Sequence, residues 1–351
     1  MKRKKLFLFS LSGLVLCSCG STQYAATPSG KEISNEVGKT KMQQSMQVSD
    51  DKVRNDVGKL KIGIEDGYLK ADYAFSYTSP FSSDGIKSEI SIDISKFKAL
   101  FSAEGINSDD ADDFHSHLEF SLHGGMSMSS TISGAATNKN IDNRNYDADV
   151  YQDCRYTYFD VSSTDTLALL QKYFPKLDFH GGKMKINTTV NAIDEDMNVY
   201  IKNPSDQVDF SFENLVEADE GGTYLDLGNG NYAFSYTFDK DGLTTELNTT
   251  YASNRGVKFT FSEDSSLKYT ILFSETDGIT SIGFDAKLDG SYKNTDESKS
   301  QGVVVYTSSN NTDFSISMGT KLTFDTSSLV TVDKISDTTQ YYELTDLQNG
   351  D

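Results

Sequence analysis

The sequence predicts an all-β, β-dominated fold: a long antiparallel meander in two related halves, with curved sheets and one or two packed helices. Four observations carry that expectation. Apolar and polar residues alternate with period two along most of the chain, as in Leu69/Ala71/Tyr73/Phe75/Tyr77 against Lys70/Asp72/Ala74/Ser76/Thr78. The gaps between such runs carry turn chemistry, as in Asp239-Lys240-Asp241-Gly242, Ser253-Asn254-Arg255-Gly256 and Asp277-Gly278, short enough for antiparallel hairpins. Parallel strands covered on both faces would read as continuous apolar runs, and those are rare here. Only four prolines occur in 351 residues, which suits long strands.

The first element is not part of the fold. Lys2, Arg3, Lys4 and Lys5 precede an apolar run from Leu6 to Leu16, the layout of an export signal too short to remain as a span. Leu16-Cys17-Ser18-Cys19-Gly20 then resembles the lipobox of bacterial lipoproteins, in which the signal peptidase cuts just before the cysteine that receives the lipid. A cut before Cys17 would put bulky Leu16 beside the scissile bond, so Cys19 is the expected lipidation site. The resemblance implies a palmitate-type lipid anchor and a place on the exported side of a bacterial membrane. It covers only the first 20 residues and says nothing of the body.

Residues 19–50 are rich in Ser, Thr, Gln, Lys and Gly and read as a flexible tether, a coil that would hold the body on the order of 30 Å from the lipid. The expected organisation is a signal over 1–18, the tether over 19–50, a first β unit with helices over 51–175, a connecting segment over 176–216, a second β unit over 217–336 and an acidic tail over 337–351. Two helices are expected. Ser95 to Glu104 places Phe97, Leu100 and Phe101 on one side. Thr164 to Phe174 follows a Ser/Thr/Asp cap, spaces Leu167, Leu170 and Phe174 helically and stops at Pro175. The remaining strands are read at Tyr232–Phe238, Leu243–Tyr251, Val257–Phe261, Leu267–Phe273, Ile282–Leu288 and Phe314–Phe324.

The two halves are expected to be related by duplication. Tyr73-Ala74-Phe75-Ser76-Tyr77-Thr78 recurs identically from Tyr232 to Thr237. Asp84-Gly85-Ile86 is followed in the second half by Asp241-Gly242-Leu243, and Leu100-Phe101-Ser102 by Leu272-Phe273-Ser274, in the same order. Each member of the pair should then form a hairpin, with shared strand composition as the competing explanation.

Composition narrows the function classes. The formal net charge is -20, and loss of residues 1–18, with four basic and no acidic side chains, moves it to -24. Such a chain repels phosphate backbones, so nucleic acid is excluded as an expected partner, and it gains nothing overall from an anionic lipid surface. With Cys17 removed and Cys19 lipidated, Cys154 stands alone; it is read as a buried, inert thiol, and the fold must hold without an internal disulfide.

Few motifs suggest chemistry. There is no G-x-S-x-G elbow, no H-E-x-x-H helix, no C-x-x-C pair and no phosphate-binding glycine loop. Three of the four histidines fall close together as His115, His117 and His123, with Glu119 between them. On a strand all four share one face, and residues two apart lie about 7 Å apart, a spacing zinc can bridge if a neighbouring strand adds ligands. The competing reading is a solvated polar face. Asn138-Lys139-Asn140-Ile141-Asp142, with Asp149 at the twelfth position, and Asp194-Glu195-Asp196-Met197-Asn198 space oxygen ligands as calcium loops do but lack the turn glycine. Absence of Trp weighs against a glycan platform.

The expected function is therefore a lipid-anchored protein facing the periplasm or cell surface, with a binding or structural role and no catalysis. Its partners would be the membrane, through the anchor, and an unidentified protein or small molecule. Two alternatives stand beside it. Curved sheets that cover helices look like lipid-carrier lipoproteins, whose half-barrels hold an acyl chain, which makes a carrier of a hydrophobic ligand the first. A hydrolase with paired carboxylates is the second.

Overall fold

A computed structural model describes residues 24–52, 58–78, 85–106, 108, 110–132, 135–173, 175, 178–187, 222–250, 257–300 and 303–344. The fold is β-dominated, as the alternation requires, and is built on one large curved sheet. Fourteen strands are described: β1 (Lys31–Ile33), β2 (Lys59–Thr78), β3 (Ile86–Glu104), β4 (His115–Ile132), β5 (Ala135–Gln152), β6 (Tyr156–Asp160), β7 (Lys183–Asn187), β8 (Thr223–Gly228), β9 (Asn231–Phe238), β10 (Lys258–Phe261), β11 (Ser266–Ser274), β12 (Gly278–Ser300), β13 (Val303–Asp325) and β14 (Tyr342–Glu343). Among them run helices α1 (Asn35–Asp51), α2 (Thr164–Tyr173) and α3 (Lys240–Thr250). The strand order is β1-β8-β9-β11-β12-β13-β2-β3-β4-β5-β6-β7-β14, with β10 alongside β12. Two meanders meet where β13 pairs antiparallel with β2, so the two sequence halves share a single sheet.

Period-two alternation gives the sheet two unlike faces. One register row runs Ile33, Tyr224, Phe234, Ile271, Ile282, Leu322, Ile64, Ala99, Phe120, Ala148 across ten strands, and every member is apolar. All three helices pack on this side, here called the helix face. α1 sets Met42 and Met46 against Tyr224, Phe234, Ile271 and Ile282; α3 sets Leu243 and Leu247 against Leu267, Ala286 and Leu288; α2 sets Leu167 and Leu170 against Phe159 and Met184. The opposite side is polar and is crossed by two irregular segments, so it is called the strap face.

The first strap is the major correction to the sequence reading. Residues 24–51 are not a tether. Tyr24 and Ala25 donate their backbone N–H groups to the Asp285 carboxylate at 3.1 and 2.6 Å, and Thr270 Oγ1 donates to the Ala25 carbonyl. The chain then adds β1 to the sheet edge, turns around it and lays α1 on the helix face. Ser34 caps α1 through Val37 N–H. The buried residues of α1 are Gly38, Met42, Ser45, Met46 and Ser49, a helical stripe in which small residues permit close approach. A Cβ on Gly38 would lie 2.1 Å from the Tyr224 ring, and Ser49 Oγ accepts from Ile279 N–H at 2.7 Å. The sheet is shaped for the strap as well: a Cβ on Gly283 would lie 2.0 Å from the Tyr24 carbonyl oxygen.

Four further expectations change. Ser95–Glu104 belongs to strand β3, not a helix. There Phe97 and Phe101 lie half-buried on the helix face, while Leu100 points to the other side and is buried, so apolar residues on both parities imitate helical spacing. The alternation over Leu243–Tyr251 suggests a strand, but Lys240–Thr250 is α3. Asp239 caps it, its Oδ1 accepting from Gly242 N–H at 2.8 Å, and Leu243 and Leu247 are four apart, which satisfies a helix as well as a strand. The repeat therefore fails as a structural unit. Both hexamers are strands with matching parity, but the first continues into the β2–β3 hairpin and the second into α3. Finally, the expected acidic tail is docked up to Leu344, through a 3-10 turn at Thr338–Gln340 and β14. The α2 expectation matches: Ser163 Oγ accepts from Thr166 N–H at 3.2 Å, and the helix ends at Tyr173.

Candidate functional site

His115, His117, Glu119 and His123 all lie on β4 and share the strap face, in register with Glu104, Ser102, Leu100 and Lys96 of β3. They do not converge. His117 Nε2 donates to Asp149 Oδ1 at 2.8 Å, its ring stacks on Tyr151 with centroids 4.4 Å apart, and its Nδ1 lies 3.7 Å from Asp333. His123 Nε2 pairs with Asp147 Oδ1 at 2.8 Å, and Glu119 pairs with Lys98. The site is partly roofed, with His117 only 8% exposed while Glu119 and Asp149 remain open to solvent. The roof is the second strap, residues 326–341. Lys334 reaches Glu104, Asp333 faces His117, the Val330 carbonyl accepts from Lys59 Nζ at 3.1 Å, and Tyr341 packs edge-on against Tyr158.

The acids around the histidines are matched by neighbouring side chains. Glu119, Asp149 and Asp160 form one register row across β4, β5 and β6, paired respectively with Lys98, His117 and Lys183. Lys334, with Lys59 behind it, holds the Glu104 carboxyl below its ordinary range despite partial burial. Burial raises Asp147, but its bonds with Ser121 and His123 outweigh that and leave the carboxyl depressed. Burial, reinforced by Asp149, pushes the Tyr151 phenol up to about 12. A general base needs a poised, reachable carboxylate, and these are committed to neighbours. Among the described residues, no group of three or more His, Cys, Asp or Glu side chains is arranged to hold a metal ion.

The other sequence candidates disperse. Asn138–Asp142 and Asp149 lie in strand β5, whose extended backbone cannot wrap a cation as a calcium loop does. Asn140 and Asn143 line an open polar depression of about 410 Å³ with Ser91, Asp93, Gly125, Met126 and Ser127. Cys154 is half-exposed rather than buried; its thiol donates to Asp112 at 3.0 Å, and that bond, with partial burial, raises its pKa. Cys19 and Asp194–Asn198 lie outside the described residues.

Sequence reasoning missed a site on the helix face. α1 rests on β8, β11 and β12, α3 on β9, β10 and β11, and α2 on β5. Between them β13, β2, β3 and β4 present Leu322, Phe324, Ile62, Ile64, Phe97, Ala99, Phe101, Leu118, Phe120 and Leu122, all half-buried except Leu118, which is 36% exposed. These residues fall in adjacent register rows and make an apolar trough walled by helices. Its floor spans four strands from β13 to β4, about 14 Å at ~4.8 Å per strand. The signal was present in the sequence as the parity of these strands; without the sheet order, their rows could not be aligned.

No family model matches the chain, and no curated protein matches it. The trough and the strap face must therefore be read from their own chemistry.

Proposed function

We propose that this chain is an exported, lipid-anchored binding protein without a catalytic role, and that it holds an apolar ligand in the helix-face trough. The observation that carries the reading is the trough itself. A helix-walled stretch of Ile, Leu and Phe left half-exposed on an otherwise acidic, polar molecule is a ligand or partner surface by the logic of apolar patches. The lipobox-like segment ending at Cys19 supports the anchored, exported placement, and the commitment of Glu119, Asp147, Asp149 and Asp160 to neighbouring side chains favours binding over hydrolysis.

The test uses the chain from residue 19 with Cys19→Ala and a fluorescent fatty acid as probe. Saturable binding by this protein is expected, with Leu118→Asp weakening it at least tenfold, equivalent to about 1.4 kcal/mol. Leu118 is exposed enough for that variant to fold, which circular dichroism checks. Absence of saturable binding, or equal binding by a folded Leu118→Asp protein, overturns the proposal.

A further inference from the structure

The first strap fixes where the anchor leaves the body. Tyr24 and Ala25 are bound to Asp285 on the strap face, near the centre of the strand order, and Tyr24 Oη donates to Asp66 of β2 at 2.7 Å. Cys19 precedes Tyr24 by five residues, which reach at most about 17 Å when fully extended. Strands β2, β12 and β13 are 20 to 23 residues long, about 65 to 75 Å. The attachment lies four strands from the β1 edge, about 19 Å, and seven residues from the near end of β12, about 23 Å, so a leash of about 17 Å clears neither and leaves that face little choice of orientation.

We propose that the strap face of β11, β12, β13 and β2 lies on the lipid surface, with the helices and the trough turned away from it. The proposal rests on Cys19 carrying the lipid. Charge fits the same arrangement. Lys70, Lys268 and Lys321 occupy the strap face within two register rows of Asp285, beside Lys287 in its pair with Asp264, and bring cations for lipid phosphates among the acids Asp72, Asp93 and Asp289 of the same face. Asp285 itself is occupied by the strap, and burial raises its carboxyl above the ordinary value.

The test is fluorescence quenching on the full lipidated protein in vesicles containing anionic lipid and a headgroup-nitroxide lipid. In a Cys154→Ser background, one label is placed by Ser317→Cys on the strap face and another by Gln44→Cys on the exposed side of α1. Quenching at 317 should exceed that at 44 several-fold. Inserting thirty Gly/Ser residues after Gln23 should remove most of the difference, and Asp285→Ala, which frees residues 24 and 25, should reduce it. Protein that floats with vesicles but is quenched equally at both positions, or more at 44, overturns the orientation alone. A difference unchanged by the insertion overturns the leash as its cause. Protein that does not float with vesicles overturns the anchor, and the orientation with it.

Discussion

Truncating Met42 to alanine separates a docked α1 from a tether. Met42 is 1% exposed and packs with Met46 among Tyr224, Phe234 and Ile271, and Tyr224 Oη approaches its sulfur at 3.9 Å. Removing a buried Met side chain costs about 2 to 5 kcal/mol, the transfer of its atoms plus the cavity left behind. The rigid surround of Tyr224, Phe234 and Phe273, each no more than 1% exposed, cannot easily collapse, so about 3 kcal/mol is expected. With an m-value of about 3 kcal/mol/M, the urea midpoint should fall by about 1 M. Val37→Ala is the control: it lies on the same helix, 47% exposed, and should change stability by less than about 0.5 kcal/mol. A Met42→Ala midpoint as close to wild type as the control would show that α1 is not packed on the sheet and would restore the tether reading.

Other consequences follow from single contacts. Gly283→Val sets a side chain where the Tyr24 carbonyl lies, an overpacking cost of about 1 to 3 kcal/mol, and hydrogen exchange should show residues 24 and 25 losing protection first. Asp239→Ala removes the α3 cap and should cost about 0.5 to 2 kcal/mol by urea titration, with Asp239→Asn largely retaining stability. Because Glu104 is depressed below its ordinary 4.5, its contribution to docking of the second strap is complete above that value and is lost as pH falls through the lower folded value. Proteolysis of residues 326–341 should therefore accelerate on acidification, and Lys334→Ala should be fast already at neutral pH; a flat wild-type profile would contradict the pairing.

Fold class was legible because strand alternation is a local signal that survives without tertiary information. The long runs of β2, β12 and β13 could adopt no other regular structure that hides Leu69, Ala286 and Met318 while wetting Lys70 and Lys287. The errors share one physical origin: local periodicity was ambiguous where few residues decide it. Leu243 and Leu247 fit both periods, and the Asp239 cap decided for a helix. In β3, Leu100, buried on the strap face, supplied an apolar residue on the wrong parity. α1 was invisible to a hydrophobicity argument because three of its five buried residues are Gly38, Ser45 and Ser49, chosen for closeness to the sheet rather than for apolar area. The histidine cluster was placed on the right face, but the carboxylates that occupy it come from β5 and from Asp333, whose proximity only the sheet order and the strap create.

Photocrosslinking with a diazirine-bearing fatty acid, followed by peptide mapping, tests the central claim most directly. The account predicts saturable labelling concentrated in β2, β3 and β4, on the peptides carrying Ile62, Phe101, Leu118 and Phe120, and displaced by unmodified fatty acid. Labelling that falls instead on the strap face, or that no competitor displaces, would contradict it.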